Sequence, residues 1–128
     1  MLEDWPAFHN CWKIFKETPD SKQVEGTLET VKAFFQVSLV SPSVCILLLW
    51  EDAVVRGFAI LTENSATRAN PQTGAVEMVM HGFVRGIHIQ KGTPLRHSLA
   101  METHICAWGR GRRHPFLTGY CSEEYFER

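Results

Sequence analysis

This 128-residue chain has no long apolar run. The longest, Val44 to Trp50, falls far short of the roughly 20 residues that a membrane-spanning helix requires. Its first residues, Met1-Leu-Glu-Asp-Trp-Pro, have neither the basic start nor the apolar middle of a secretory signal, so the chain reads as cytoplasmic. It has no excess of either charge. A net charge of −1 gives no global pull toward nucleic acid or an anionic membrane, and any anion binding must be local. It has no Cys-x-x-Cys pair. Cys11, Cys45, Cys106 and Cys121 are widely spaced and three of them have apolar neighbours, which predicts reduced, mostly buried thiols. Repeats, low-complexity tracts and shifts of composition are missing too, so residues 1–128 are expected to fold as a single domain. What is present, 45% apolar and 21% charged residues, is ordinary for a globular chain able to bury a core.

Two helices are expected first. Asp4 is a candidate N-cap with Pro6 in the first turn, and Phe8, Trp12 and Phe15 share a face before Thr18-Pro19-Asp20 stops the helix. From Gly26-Thr27 onward, Leu28, Val31, Phe34, Phe35 and Leu39 form a wide apolar stripe that Ser41-Pro42-Ser43 ends. Two β-rich runs follow, Val44–Trp50 and Val54–Leu61, joined by Glu51-Asp52-Ala53. Asn64 to Gly74 carries turn chemistry without periodicity and is expected to be a mobile loop.

The third run, Ala75 to Gln90, alternates like a strand but is longer than most. Gly82 and Gly86 inside it are expected to mark a bulge or bend, because glycine weakens a regular ladder and permits sharp twisting. Lys91-Gly92-Thr93-Pro94 then turns the chain into a helix carrying Leu95, Leu99, Glu102, Ile105, Cys106 and Trp108 at helical spacing. A strand that feeds a helix through such a turn aims backbone N–H groups at one point, and an anion suits that point.

The order helix, helix, strand, strand, strand, turn, helix, strand resembles the GCN5-related N-acetyltransferase superfamily. The likeness spans roughly Asp4 to Tyr125. It rests on Ile46 to Leu61 with Arg56-Gly57-Phe58-Ala59, on Arg85 to Gln90, on Leu95 to Arg112 with Ala107-Trp108-Gly109, and on Pro115 to Cys121. The resemblance implies an α/β (α+β) fold whose central, mixed, mostly antiparallel twisted sheet is flanked by helices, here without the family's usual terminal strands. It implies acetyl-CoA as cofactor, with the pantetheine arm on Ile87, His88, Ile89 and Gln90 and the pyrophosphate on the turn of Gln90, Lys91, Gly92, Thr93, Leu95 and Arg96. That turn carries one glycine and is shorter than the family pattern, leaving Lys91 and Arg96 to supply charge.

Acetyl transfer to an amine needs a base for the acceptor and an acid for the departing thiolate. Glu77 and His81 are the candidate bases, and Tyr120, Tyr125 and Cys121 the candidate acids. The basic stretch Arg110-Gly111-Arg112-Arg113-His114 could hold phosphate or nucleic acid but reads better as the cationic end of a helix with Gly111 as its stop. His97 and His104 lie seven apart on one helix face, but no carboxylate or thiol at ligand spacing joins them, so no metal is expected.

Two readings follow. One is an acetyl-CoA-dependent N-acetyltransferase acting on a small-molecule amine or a protein amino group. The other is a catalytically inactive binding or assembly module of the same fold, as in short viral or mobile-element copies of the family. In both, the exposed sheet edge calls for a second copy or a protein partner, with a homodimer as the simplest form.

Overall fold

The computed structural model describes residues 2–17 and 27–119, and its first layer is aromatic. Helix α1 (Trp5–Lys16) carries Pro6 in its first turn and buries Phe8, Cys11, Trp12 and Phe15. Helix α2 (Leu28–Ser38) starts at Thr27, whose hydroxyl accepts the Thr30 N–H at 3.3 Å, and buries Val31 and Phe35. These side chains converge on Phe58 of the sheet, which meets Phe8 and Phe15 edge-on at 5.3 Å in each case.

Among the described residues the sheet holds four strands in the order β1 (Val44–Glu51), β2 (Val54–Ala69), β3 (Val76–Ile89) and β4 (Leu117–Gly119). The first three are antiparallel neighbours, while β4 runs parallel to β3 over Gly82–Val84. This is the open, mixed α+β architecture expected from the sequence. Asp52 (φ 50°) and Ala53 (φ 64°) both take left-handed backbone in the β1–β2 turn, a connection tight enough to favour that conformation without glycine. Helix α3 (Leu95–Gly111) covers the opposite face, with Met101 and Ile105 packed against Leu49, Ala59 and Leu61.

The Asn64–Gly74 segment differs from expectation. Strand β2 continues to Ala69, and only a short turn separates it from β3. Asn70 builds that turn: its Oδ1 accepts the N–H groups of Gln72 and Thr73, its own N–H donates to the Ala75 carbonyl, and Gly74 follows at φ +73°. The strand was hidden because β1 begins opposite Thr62, so on the far side of that pair β2 and β3 form a two-stranded ribbon whose better-covered face is only half-buried for most of its length and imposes little apolar alternation on β2. Val76, Met78 and Met80 are accordingly exposed.

The glycine expectation divides. At Gly86 the register shifts: Ile60 pairs with Gly86 and Leu61 with Val84, which leaves Arg85 as the unopposed residue of a bulge. Gly82 lies in regular ladder and serves packing, since a Cβ there would overlap Leu117 and approach His114 Nδ1 at 2.9 Å. A second bulge interrupts β1–β2, where Leu49 pairs with Gly57 and Trp50 with Val55 and Arg56 stands unopposed. Cys11, Cys45 and Cys106 are free thiols; burial pushes Cys11 up to about 11 against opposing contacts from Gln90 and Arg56. Among the described residues, no helix is long and apolar enough to cross a membrane.

Candidate functional site

The bulge at Arg85 decides which backbone groups of β3 point off the sheet. Before it, the Gly82 N–H turns away from β2 and donates to the Phe116 carbonyl at 3.2 Å, the start of the pairing with β4. After it, the Gln90 N–H donates to the Arg56 carbonyl of β2 at 2.8 Å. Antiparallel ladders alternate between bonded and non-bonded pairs, so His88 also faces β2, while the N–H and C=O of Ile87 and Ile89 face outward. Among the described residues no strand pairs with β3 beyond Val84, and these outward groups form a short open edge.

That edge leads into a turn and then the start of α3. The Thr93 N–H donates to the Gln90 carbonyl at 3.2 Å, and Gly92 sits at φ +91°, a left-handed position that favours glycine. A Cβ at Gly92 would touch nothing within 4 Å, so the turn is open on its outer side. Pro94 holds the N-cap position and supplies no side-chain cap, and the first turn of α3 contains no acidic residue. The first N–H groups of a helix have no partner inside it, and the helix dipole adds partial positive charge there. Exposed Lys91 and Arg96 flank this point. The set suits a phosphate group.

The side chains of the expected cofactor residues divide by face. His88 turns inward between Phe15 and Phe58, at centroid distances of 5.0 and 5.8 Å, and its backbone groups face β2, so it backs the edge without lining it. Gln90 folds back: its Oε1 accepts from Arg56 Nη1 at 3.3 Å, and its Nε2 reaches Cys11 Sγ at 3.9 Å. Ile87 and Leu95 are well exposed, and Thr93 is half-buried.

Glu77 and His81, the two catalytic candidates among the described residues, are not brought to one point. Glu77 lies near the tip of the β2–β3 ribbon, ten residues before Ile87 and so roughly 30 Å along the strand. There it accepts from Asn70 and Arg68 at 3.2 and 3.1 Å, and these bonds hold its carboxyl below the ordinary range. His81 is buried, with its ring stacked on Phe116 at 4.7 Å and its Nδ1 lacking a hydrogen-bond partner. Tyr120, Tyr125 and Cys121 lie outside the described residues.

Sequence reading missed two features. Glu63, just past the expected end of the second strand, is largely buried and accepts from His114 Nε2 at 2.9 Å and Arg112 Nη2 at 2.6 Å. Burial pushes its pKa up, but the His114 and Arg112 bonds outweigh that and hold it below the ordinary carboxylate range. Part of the basic stretch after α3 is thereby spent inside the fold. The second feature is Arg85, a lone cation inside an apolar strand, whose placement on a bulge no periodicity announces. Among the described residues, no group of three or more His, Cys, Asp or Glu side chains is arranged to hold a metal ion.

The chain's sequence matches no family model and no curated protein. Its structure does match solved ones. An aminoglycoside 6'-N-acetyltransferase from Acinetobacter haemolyticus superposes with a TM-score of 0.55 at 12% identity, covering 84% of this chain and 72% of the other. Aminoglycoside N-acetyltransferase AAC(6')-Iy, solved with the bisubstrate analogue CoA-S-monomethyl-acetylneamine, gives 0.57 at 16% identity, covering 84% and 71%. This is the GCN5-related N-acetyltransferase fold. A Bacillus halodurans protein, solved as a tetramutant, aligns with this GNAT-fold chain over 100% of its length and 83% of its own, with a TM-score of 0.66 at 10% identity. At such identities the likeness concerns architecture. In this GNAT fold the open β3 edge, the Gly92 turn and the α3 N-terminus are consecutive in the chain.

Proposed function

We propose that this protein binds acetyl-CoA along the β3 edge and transfers its acetyl group to an amine. The observation that carries the reading is the continuity of three features: outward backbone groups at Ile87 and Ile89, the open left-handed turn at Gly92, and an α3 N-terminus with no side-chain cap. Together they offer amide-pairing groups followed by a phosphate position, the order in which a pantetheine arm and a pyrophosphate occur. Ile87 and Ile89 would hold the arm through their outward backbone groups, and Lys91, Gly92, Thr93, Leu95 and Arg96 the phosphates; His88 and Gln90, whose backbone N–H groups turn to β2, back the edge without reaching the arm. Solved neighbours with CoA or a CoA-derived analogue bound support the cofactor class.

When bound, acetyl-CoA supplies a thioester, from which the amine nitrogen takes the acetyl carbon as the C–S bond breaks, the amine gives up a proton and the thiolate takes one. This chain's part is to fix the arm on β3 and present the acceptor at the bulge. Of the candidate bases, His81 is the nearer, four residues before Arg85, whereas Glu77 is committed to Arg68 and Asn70. Positioning alone accounts for a large share of acyl transfer rates.

The test is a calorimetric titration with acetyl-CoA, CoA and a simple nucleotide, on the wild type and Ile87→Pro. Proline removes the outward N–H without breaking a bond to β2, a replacement that a strand edge tolerates. The variant is expected to fold and to bind acetyl-CoA about tenfold more weakly, the worth of one hydrogen bond. Wild-type affinity in a folded Ile87→Pro would remove the β3 edge from the cofactor site. A folded wild type that binds neither acetyl-CoA nor CoA would overturn the reading and shift the weight to a binding or assembly module.

A further inference from the structure

Arg85 is the unopposed residue of the β3 bulge, two residues before Ile87 and so about 7 Å along the strand from the start of the proposed cofactor edge. A bulge re-aims its side chain, and here the guanidinium is aimed across the face that packs against α2. It lies 5.3 Å from the Phe34 ring and 5.4 Å from the Phe83 ring, and its Nε donates to Thr62 Oγ1 at 2.9 Å. Two aromatic rings and one hydrogen bond thus fix the guanidinium and, among the described residues, leave the Nη1/Nη2 end of the fork uncommitted. Among the described residues no carboxylate pairs with it; Glu51 lies with His97, Glu63 with Arg112 and His114, and Glu77 with Arg68.

A half-buried guanidinium with no counter-charge among the described residues is costly to keep and ready for one. The uncommitted edge is the one that receives a carboxylate or phosphate through two parallel hydrogen bonds. It is separate from the phosphate position at the α3 N-terminus, which lies five or more residues further along the chain. Resting on the acetyl-transfer reading, we infer that Arg85 selects the acceptor: an amine that also carries an oxyanion group, as an amino acid does. The same cation repels a multiply charged amine, so the acceptor class in the neighbours' names does not carry over.

The experiment has two arms. In the first, acetyl-CoA thiol release is followed with glycine, β-alanine and L-glutamate as carboxylate amines, phosphoethanolamine as a phosphate amine, and spermidine and an aminoglycoside as polycations. In the second, the same amines are titrated by NMR into the protein without cofactor. Both are run on the wild type, Arg85→Gln and Arg85→Lys, with circular dichroism melts to establish folding. Oxyanion amines are expected to be preferred over polycations by tenfold or more in kcat/KM. Arg85→Gln should lose about tenfold to hundredfold on them, largely in KM, as expected for a charged hydrogen-bonded contact, with acetyl-CoA affinity unchanged. Arg85→Lys should recover part of the loss. The better of the carboxylate and phosphate amines identifies the oxyanion. Preference for polycations, or an equal fall in kcat for every acceptor, would overturn the inference while leaving the acetyl-transfer reading in place. Oxyanion amines that shift wild-type resonances but not those of Arg85→Gln, in a protein that fails to bind acetyl-CoA, would uphold the inference and remove that reading. No response in either arm from folded protein would overturn both.

Discussion

The C-terminal end of α3 is pinned by Glu63, which accepts from Arg112 and His114 while the His114 ring sits against Trp108 at 4.8 Å. At its N-terminal end no side chain caps the first turn and Gly92 leaves the approach open. Both ends belong to one helix over one sheet, yet they meet the charge of the helix terminus in opposite ways. At the C-terminus, cations suited to the dipole are used up by a buried carboxylate, so the basic stretch from Arg110 to His114 is in part a fastening. At the N-terminus no side-chain cap and no acidic residue of the first turn meets the partial positive charge, and among the described residues Glu51 approaches only the His97 ring there, at 3.8 Å. Where polar groups find their partners within the fold, they serve stability; where they are left to solvent, they are available for binding.

The largest expected effect comes from Gly82→Val. Added carbons there would overlap Leu117 and press on His114 and Trp108, displacing β4 and the fastened end of α3 together. A loss of about 3 kcal/mol or more is expected, since overpacking against strand and helix has no cheap relief, and thermal melts should fall by roughly 10 °C or more. An unchanged melt would show that this end of α3 is not fastened, and the contrast between the two ends would vanish.

Glu63→Gln is expected to cost less, about 2 kcal/mol, because the amide keeps the volume and an acceptor but removes the charge facing Arg112 and His114. Acid sharpens this. The folded-state pKa of Glu63 is depressed, so its contribution is present above the unfolded value near 4.3 and is lost as pH falls through the lower folded value. Melting temperature should therefore drop more steeply between about pH 5 and 3 in the wild type than in Glu63→Gln. Glu77 is depressed in the same direction by Asn70 and Arg68, but its exposed pair is screened by salt, and measurement at high ionic strength isolates Glu63. Parallel curves would mean that the carboxylate is no fastener.

Much of the frame was legible because burial imposes periodicity. Phe8, Trp12 and Phe15 marked α1, the stripe through Val31 and Phe35 marked α2, and the alternation around Phe58 to Leu61 marked β2, all of them core-facing. Legibility failed where burial did. Asn64–Ala69 lies in a ribbon with one exposed face and one only half-buried, so its sequence carries turn-like composition inside a strand. The bulge was half legible: Gly86 signalled it, but that Arg85 is the residue left over depends on a register that only the paired strands define. The Glu63–His114 pair spans 51 positions, and no local pattern links such residues. The turn at Gly92 was read correctly as a break, because glycine and proline together leave the chain few other conformations.

Gly92→Asp probes the open end with the smallest expected change in stability. The position has φ +91°, so any side chain adds backbone strain of about 1 kcal/mol, but a Cβ meets nothing within 4 Å and aspartate is among the more tolerant residues there. Binding should respond far more than folding: a carboxylate beside the proposed phosphates is expected to lower acetyl-CoA affinity by tenfold or more, and less so in high salt. Gly92→Asn is the control, since it has nearly the same size and backbone preference without the charge. If Asp weakens binding and Asn does not, the α3 N-terminus is an anion site. If both weaken it equally, the turn's shape rather than its charge is what the ligand needs. If neither does, the phosphates bind elsewhere, and the open end of α3 differs from the fastened end only in being unprotected.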